Sequence, residues 1–394
     1  MLRGVVEGFY GRPYMGGRRS LLLKYLSRLP EPAYMYAPKN DPFHRLRWRD
    51  DYPPEIWDGL SRDISLAREL GVMFIFAISP WGFRSDEWKT LRRRSARALE
   101  AGAGGLAVLF DDIPQETGPL LAGRQLELAE RALAGLDVPV FLCPSVYCDE
   151  LLERYDGGEY LAEWRGRVPS GWTSMWTGRQ VVSGNLDPAS MERASVLLGG
   201  TPAVWDNILA DDYCLRRVYL SDLNGRMPEG HDYFMNPPEC FPVALYGVMS
   251  LLEASGVHLP WPPELGSLPE SWKIFGSFHW TPWEAGGRAS ELMELVGRSW
   301  SSPEVSNAVD ALEVVVGKLD RLLDETEIIP FGWEMAPYLR DLRRMAGWLL
   351  EVLLLPVPAR TSRLRYLMFE RLPIDHPFAS FTAELAEGFE EGTR

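Results

Sequence analysis

The sequence predicts an α/β fold class, namely a TIM (β/α)8 barrel followed by an all-α helical-bundle domain. Short β-rich apolar runs alternate with longer helical patterns through roughly the first 240 residues, and strand signals fade after about residue 241. Eight such runs can be counted, which is the number of strands that a closed barrel needs. We therefore expect a barrel domain over residues 1–240 and a helical domain over residues 241–394.

The eight predicted strands centre on residues 4–6, 33–36, 72–76, 106–110, 138–142, 173–176, 203–205 and, with the weakest pattern, 232–235. Between them lie helical patterns such as residues 54–70, in which apolar side chains recur on one face. Asp187 followed by Pro188 has the pattern of an N-cap with proline at the first helical position. Each βα unit therefore has local support.

Two helices stand out in the predicted helical domain. One is expected to begin at Ser302-Pro303, and another spans roughly residues 335–354. The apolar stripe expected on the first of these helices consists of Ala308, Leu312, Val316, Leu319 and Leu323. Such stripes could bury against the barrel or against a second copy, so the periodicity leaves a homodimer open.

Composition limits the partners of the chain. Its 394 residues are 46% hydrophobic, which is enough for a large core, and its formal net charge of -14 would repel a nucleic acid. The start of the chain lacks the apolar core of a signal peptide, and no apolar stretch reaches the ~20 residues that cross a bilayer. Four cysteines do not make a disulfide framework. We expect a cytoplasmic protein with no nucleic-acid or membrane partner.

Polar and aromatic residues follow most of the predicted strands directly. In a TIM barrel the active site lies at the carboxyl ends of the strands, so these segments are where chemistry is expected. They are residues 7–13, 37–42, 111–113, 143–148, 176–178, 205–207 with 211–213, and 236–238.

Two adjacent carboxyls, Asp111 and Asp112, follow the fully apolar run 106–110. Desolvation and mutual repulsion disfavour ionisation of both, so such a pair tends to divide into one ionised and one protonated group. That division suits an electrostatic stabiliser beside an acid catalyst. An aspartate pair is a weak motif by itself, because it can also cap the next helix or bind a cation.

Aromatic residues share this predicted rim with carbonyl and amide groups. A sugar requires apolar walls for its C–H faces and polar groups for its hydroxyls, so the combination favours a carbohydrate pocket. Core packing is the alternative for each ring, since large aromatic side chains are commonly half buried. The rings concerned are Tyr10, Tyr147, Trp176, Trp205 and Tyr213.

Several strings in the chain occur together in one known family. Gly4 to Pro13 reads GVVEGFYGRP, Tyr34 to Asp41 reads YMYAPKND, and Leu109 to Ile113 reads LFDDI. The pairs His44-Arg45 and Trp48-Arg49 continue the second string, and later segments begin at Cys143, Trp176, Trp205 and Asn236. In these motifs, which cover most of the first 240 residues, the chain resembles glycoside hydrolase family 84, the O-GlcNAcases and bacterial hyaluronidase-like β-N-acetylglucosaminidases.

The resemblance implies a retaining exo-β-N-acetylglucosaminidase with substrate-assisted catalysis through an oxazoline intermediate, an exception among retaining glycosidases. It implies that Asp111 polarises the 2-acetamido group and that Asp112 is the general acid/base. Tyr147 would hydrogen-bond the acetamido oxygen, and Trp205 would wall the N-acetyl pocket. The substrate would be a β-GlcNAc-containing glycoconjugate or oligosaccharide.

The same resemblance implies a set of residues that bind the sugar hydroxyls, with Thr177 and Tyr10 near the same pocket. Structural alternatives exist for several: a surface salt bridge for Lys39, a helix cap for Asp212, and turns for the two asparagines. The implied set is Gly8, Lys39, Asn207, Asp212 and Asn236.

Two other classes of function compete with this hypothesis. A non-catalytic GlcNAc-binding barrel protein would have no use for the Asp111-Asp112 pair. A metal-dependent barrel hydrolase would need clustered ligands, but the five histidines are dispersed along the chain. The sequence therefore predicts no metal and no cofactor, and it leaves the natural aglycone open.

Overall fold

The computed structural model describes residues 1–113, 117–214, 217–368 and 377–387. Eight strands form a closed barrel in the order in which they occur in the chain. They are β1 (Arg3–Glu7), β2 (Pro32–Tyr36), β3 (Met73–Ile78), β4 (Gly105–Leu109), β5 (Val140–Cys143), β6 (Thr173–Trp176), β7 (Ala203–Asp206) and β8 (Tyr233–Met235). Each predicted run is a strand, so the TIM barrel is confirmed.

All the strand pairs of the barrel are parallel. β1 pairs with β2 on one side, with Gly4 opposite Ala33, and closes the ring on the other side against β8, with Gly4 opposite Phe234. Strands buried on both faces consist of nearly continuous apolar residues, and β4 is an example in which every residue is buried. The carboxyl ends of all eight strands therefore meet at one end of the barrel.

Helices accompany the strands. They are α1 (Arg18–Leu26), α2 (Pro54–Glu69), α3 (Trp88–Ala101), α4 (Pro119–Leu133), α5 (Asp149–Arg154), α6 (Gly158–Arg167), α7 (Pro188–Leu198) and α8 (Phe241–Ala254), with a short 3-10 helix at Ser85–Glu87. The connection from β7 to β8 contains no helix among its described residues.

Local signals account for several of these boundaries. The predicted helix over residues 54–70 is α2, which buries Leu60, Ile64 and Ala67. The predicted cap of α7 is confirmed, because the Asp187 side chain accepts a 2.9 Å hydrogen bond from the backbone N–H of Ser190.

The described residues after α8 are helical or irregular. The helices are α9 (Pro269–Phe278), α10 (Gly287–Trp300), α11 (Ser306–Glu325), α12 (Ala336–Leu353), α13 (Val357–Met368) and α14 (Pro377–Glu387), with 3-10 helices at Pro263–Leu265 and Gly332–Glu334. α11 packs against α9 and α12, and α13 packs against α14. Residues 369–376 and 388–394, which the sequence analysis assigned to the helical domain, lie outside the described residues.

α11 differs from its prediction in two details. The helix begins at Ser306, so Ser302-Pro303 lies before it rather than at its start. Val315 and Leu322 are buried, whereas the predicted stripe members Val316 and Leu323 are only half buried. Because α11 packs against three helices, α9, α10 and α12, its buried face is wider than one stripe and is centred slightly differently.

Contacts within the chain define two compact units. The first contains residues Met1–Asp212, Asp222–Glu239 and Gly247–His258, and the second contains Tyr213–Ser221, Cys240–Tyr246 and Leu259–Arg394. α8 is therefore divided between them. The predicted boundary between residues 240 and 241 stays a prediction, since each unit also contains short segments from the other side of that position.

Two further properties concern partners and redox state. No helix in the described part of the chain combines the length and the apolar character that a membrane crossing requires. The four cysteines form no disulfide with one another.

A buried ion pair ties β7 to the segment that precedes β8. The Asp206 carboxylate accepts hydrogen bonds of 2.8 and 2.9 Å from the Arg226 guanidinium and one of 2.7 Å from the Tyr233 hydroxyl. The Asp206 side chain is 1% exposed and the Arg226 side chain is 10% exposed. Removing one charge from such a pair leaves the other without compensation in a medium of low dielectric constant.

We expect Asp206→Asn to lower the free energy of unfolding by about 3 kcal/mol, because it leaves the Arg226 charge buried and unneutralised. Asp50→Asn is the matched control: Asp50 pairs with Arg47 on the surface, and its loss should cost at most about 1 kcal/mol. Urea unfolding of both variants followed by circular dichroism would measure this. Equal effects would contradict a structural role for the Asp206 pair.

Candidate active site

The predicted site residues follow strands of the barrel at its carboxyl end. Asp111 and Asp112 come after β4, Lys39 after β2, Tyr147 after β5, and Gly8 directly after β1. Because neighbouring parallel strands end at the same level, residues that are far apart in sequence meet there.

Asp111 is a buried carboxylate with two different oxygens. It is 5% exposed, and its Oδ2 forms an ion pair with the Nζ of Lys39, which is equally buried. Its Oδ1 is also buried, but this oxygen accepts no hydrogen bond from the described part of the chain. The side chain therefore has one oxygen fixed by a cation and one oxygen available to a donor.

Burial and charge act in opposite directions on this pair. Burial raises the pKa of Asp111, the Lys39 ammonium opposes that change, and the neighbouring Asp112 carboxylate adds to it. Burial lowers the pKa of Lys39, but the carboxylates of Asp111 and Asp112 outweigh this effect and raise it. Lys39 is therefore a cation when it faces the two aspartates.

Asp112 is exposed and has an unusual backbone conformation. Its φ of 54° lies in the left-handed region, which aspartate tolerates better than most residues but which still costs energy on the order of 1–3 kcal/mol. Two tyrosine hydroxyls donate to its carboxylate: Tyr147 to Oδ1 at 2.8 Å and Tyr10 to Oδ2 at 3.1 Å. These two contacts fix the direction of the side chain.

Tyr147 is a buried donor. Burial in the first place, and then the Asp112 carboxylate, raises the pKa of its phenol well above the usual value, so the hydroxyl keeps its proton. Its backbone carbonyl accepts a 2.9 Å hydrogen bond from the N–H of Thr177. Thr177 thus supports the backbone of Tyr147, and its own hydroxyl donates to the carbonyl of Gln180.

A network of amides links β1, β7 and β8. The N–H of Gly8 donates to Oδ1 of Asn236 at 3.1 Å, and Nδ2 of Asn236 donates to Oδ1 of Asn207 at 2.9 Å. The same oxygen of Asn207 accepts a 2.8 Å hydrogen bond from the indole of Trp205. The two asparagines therefore join strand ends rather than merely forming turns.

Gly8 is required by the close approach of Trp205. A Cβ at Gly8 would lie 2.3 Å from the indole ring, so no side chain fits there unless Trp205 moves. The Nζ of Lys39 lies 5.3 Å from the centroid of the same ring, within the range of a cation–π interaction. Trp205 is thus fixed between the amide network and the Lys39–Asp111 pair.

Asp212 connects the β7 end of the site to Tyr10. Its Oδ2 accepts a 2.7 Å hydrogen bond from the backbone N–H of Tyr10. Burial raises the pKa of Asp212, and the N–H of Tyr10 opposes that change. This contact differs from the helix cap that was the structural alternative for Asp212.

The structure also bears on the alternative considered for Lys39 and on the five predicted rim aromatics. The surface salt bridge considered for Lys39 is wrong, because the pair is buried. Of the five predicted rim aromatics, Trp176 is wholly buried, and Tyr213 is 50% exposed and falls in the second compact unit. Tyr10, Tyr147 and Trp205 make the contacts described above.

One residue of the site was quoted in the sequence motifs without a role. The guanidinium of Arg45 donates to the hydroxyl of Tyr10 and to the backbone carbonyl of Asp112, both at 2.6 Å. An arginine in a loop after a strand carries no distinguishing signal, since Arg47 and Arg49 lie in the same segment. Only the tertiary structure separates them.

Within residues 1–113, 117–214, 217–368 and 377–387, no three His, Cys, Asp or Glu side chains are grouped so that they could hold a metal ion. The polar groups at the carboxyl end of the barrel are instead carboxylates, phenols and amides. Together with Trp205, they could bind a polyhydroxylated ring and exchange a proton with it.

Comparison with known proteins identifies the family. The sequence profile described as beta-N-acetylglucosaminidase matches residues 3–240. The chain belongs to this family, glycoside hydrolase family 84. It is 35% identical over 243 residues to Protein O-GlcNAcase from Mus musculus and, equally, to Protein O-GlcNAcase from Rattus norvegicus. The match covers 58% of this chain and 26% of each relative, so the chain spans about a quarter of their length.

Two solved structures share the fold. An O-GlcNAc hydrolase mutant from Thermobaculum terrenum superimposes with a TM-score of 0.82, covering 98% of this chain and 93% of its own, at 20% identity. The protein CpGH84B gives a TM-score of 0.77, covering 98% and 76% of the two chains, also at 20% identity. The fold of this family 84 chain therefore extends past the matched barrel region.

Asp211, the neighbour of Asp212, generates a prediction about stability. Burial, and next the Asp212 carboxylate, raises the pKa of Asp211 to about 8. Between about pH 4 and pH 8, Asp211 is therefore protonated in the folded protein and ionised in the unfolded chain. The free energy of unfolding consequently falls as the pH rises through this window. Asparagine has the shape of a protonated aspartate but does not ionise, so Asp211→Asn should remove this decrease in the free energy of unfolding.

Melting temperatures of the wild type and Asp211→Asn at several values from about pH 5 to pH 9 would measure this. The wild type should lose stability relative to the variant as the pH rises, and the difference should level off above about pH 8. Parallel curves for the two proteins would contradict it.

Proposed function

We propose that the protein is a retaining exo-β-N-acetylglucosaminidase that hydrolyses terminal β-linked GlcNAc, as an O-GlcNAcase-like enzyme, by substrate-assisted catalysis through an oxazoline. Family membership supports the reaction class. The observation that carries the mechanism is the asymmetry of the aspartate pair. Asp111 is buried with one oxygen that accepts no hydrogen bond from the described residues, and Asp112 is accessible and oriented by two phenols.

In this mechanism Asp111 acts on the nucleophile. Its Oδ1 would accept the N–H of the 2-acetamido group, which shifts electron density to the acetamido oxygen and aims it at the anomeric carbon. The ion pair with Lys39 favours the ionised carboxylate that this role requires. Because Oδ1 is buried, the new hydrogen bond would be stronger than one made in water.

Asp112 acts on the leaving group. As the acetamido oxygen bonds to the anomeric carbon, the glycosidic C–O bond breaks and the Asp112 proton passes to the departing oxygen. The oxazoline forms with its ring nitrogen still protonated and hydrogen-bonded to Asp111. Water then attacks the anomeric carbon from the side that the leaving group vacated, and one of its protons passes to Asp112. The acetamido C–O bond to the anomeric carbon breaks, which restores the acetamido group and gives net retention.

The remaining residues would hold the sugar. We assign the acetamido group to Tyr147 and Trp205: the Tyr147 hydroxyl, which donates to Asp112 in this structure, would turn to the acetamido oxygen. The amide network beside Gly8 and the carboxylate of Asp212 offer donors and acceptors for hydroxyls. The proposed sugar-binding set is Gly8, Tyr10, Lys39, Thr177, Trp205, Asn207, Asp212 and Asn236.

The substrate class is a β-GlcNAc-containing glycoconjugate or oligosaccharide. Relatives named Protein O-GlcNAcase and O-GlcNAc hydrolase favour a glycosylated protein among the aglycones. A cytoplasmic location and a homodimer stay predictions. Cysteines that form no disulfide with one another are compatible with the reducing conditions of a cytoplasm.

The first test concerns Asp112. We expect Asp112→Asn to lower kcat/KM by roughly 100-fold or more for an alkyl or unactivated aryl β-N-acetylglucosaminide, but by less than about 10-fold for a dinitrophenyl glycoside, whose leaving group needs no proton. Asp111→Asn is the matched comparison, because it should lower kcat/KM by the same factor for both substrates. Equal losses on both substrates for Asp112→Asn would rule out the assignment as acid.

The second test concerns the 2-acetamido group. The wild type should release the same aryl alcohol at least about 1,000-fold more slowly from the plain β-glucoside than from the β-N-acetylglucosaminide, since the internal nucleophile is missing. A chelator should leave the rate unchanged. Efficient cleavage of the glucoside would exclude substrate assistance, and binding of GlcNAc without turnover would indicate a non-catalytic GlcNAc-binding barrel.

A further inference from the structure

Arg45 lies in the segment after β2 and is buried at the edge of the site. It is 6% exposed. Its guanidinium carbon is 5.3 Å from the ring centroid of Tyr10 and 4.9 Å from that of Trp81, so two aromatic rings face the cation. Arg45 forms no salt bridge with any carboxylate of the described residues, and in this it is like the buried Arg94 and Arg360 and unlike Arg19 and Arg226.

The polar contacts of Arg45 converge on one residue. Nη2 donates to the backbone carbonyl of Asp112 at 2.6 Å, and Nη1 donates to the Tyr10 hydroxyl at 2.6 Å. The Tyr10 hydroxyl in turn donates to Oδ2 of Asp112 at 3.1 Å. Arg45 therefore reaches Asp112 twice, directly at the main chain and through Tyr10 at the carboxylate.

The main-chain contact bears on backbone conformation. Asp112 has a φ of 54°, and the direction of its carbonyl depends on that left-handed conformation. The hydrogen bond from the Arg45 guanidinium to the Asp112 carbonyl favours the backbone conformation in which these two groups are in contact. Relaxation of Asp112 toward ordinary dihedral angles would turn its side chain away from Tyr10 and Tyr147.

The contact through Tyr10 bears on the carboxylate. A cation that donates to the phenol oxygen polarises the hydroxyl and strengthens the hydrogen bond that it donates onward. Among the described residues, the buried Arg94 and Arg360 donate to backbone carbonyls alone, whereas one acceptor of Arg45 is a hydroxyl that itself donates to a carboxylate. The position of Arg45 is explained if it acts on Asp112.

We propose that Arg45 is a positioning residue for the general acid: it holds Asp112 in the left-handed conformation and, through Tyr10, aims its carboxyl at the leaving-group oxygen. This inference rests on the proposed function, because it concerns the acid role of Asp112. It assigns to Arg45 no contact with the sugar ring.

The test compares two substrates, an alkyl β-N-acetylglucosaminide and the dinitrophenyl β-N-acetylglucosaminide. Arg45→Gln should lower kcat by roughly 30-fold on the alkyl substrate and by less than about 3-fold on the activated one, with little change in KM. Arg45→Lys keeps a cation but loses the fork that reaches two acceptors, so it should recover only part of the loss.

Arg49→Gln is the matched control. Arg49 is in the same segment and also donates to a backbone carbonyl, that of Trp81, but it pairs with Glu87. Its replacement should change both substrates by the same small factor. A second arm places Arg45→Gln in an Asp112→Asn background, where its leaving-group-dependent effect should disappear, since the acid through which it acts is gone.

Three results would overturn the proposal. They are an equal loss on both substrates for Arg45→Gln, a loss confined to KM, or a full additive effect in the Asp112→Asn background. If Arg45→Gln does not fold, as its melting curve would reveal, Tyr10→Phe tests the same route, and it should give a smaller loss that is still confined to the alkyl substrate. Wild-type turnover that shows no need for acid assistance would instead count against the proposed function.

Discussion

Closure of the barrel between β1 and β8 is the constraint on which the site depends. The two strands come from opposite ends of the first 240 residues, and their parallel pairing brings Gly8 and Asn236, 228 positions apart, within a hydrogen bond. The amide network that continues to Asn207 and Trp205 exists only because the ring is complete. A partly open sheet would leave these groups solvated and separate, so the site and the fold form together.

Different surroundings give two identical side chains different properties. Asp111 is enclosed and its carboxylate pairs with a cation, whereas Asp112, one residue later, is accessible and its carboxylate accepts hydrogen bonds from two neutral hydroxyls. The two residues also differ in backbone conformation, since Asp112 is in the left-handed region. The proposed separation of roles between these neighbouring carboxyls rests on their different surroundings, without any difference in chemical identity.

The fold could be predicted from the sequence to a large extent. Eight apolar runs marked all eight strands, since strands of a parallel barrel are buried on both faces and stand out as continuous apolar segments. The start and the buried face of α11 were predicted less well, because tertiary neighbours decide which of two adjacent stripes is covered.

For the site, position after a strand indicated where Asp111, Asp112 and Tyr147 would meet, but it could not separate the wholly buried Trp176 from the aromatics of the site. The contacts of Arg45 could not be predicted at all, because they depend on side-chain direction.

The backbone of Asp112 also bears on how this protein could change over generations. The positive φ of Asp112 is a conformation that glycine, asparagine and aspartate tolerate best. One base change in an aspartate codon gives either a glycine or an asparagine codon. Glutamate, the other acid one base away, is a poorer fit to that conformation. Among the residues that one base change can reach, asparagine and glycine therefore keep the turn and lose the carboxyl. If Asp112 has the proposed acid role, a folded descendant that still holds a sugar without cleaving it is a single step away.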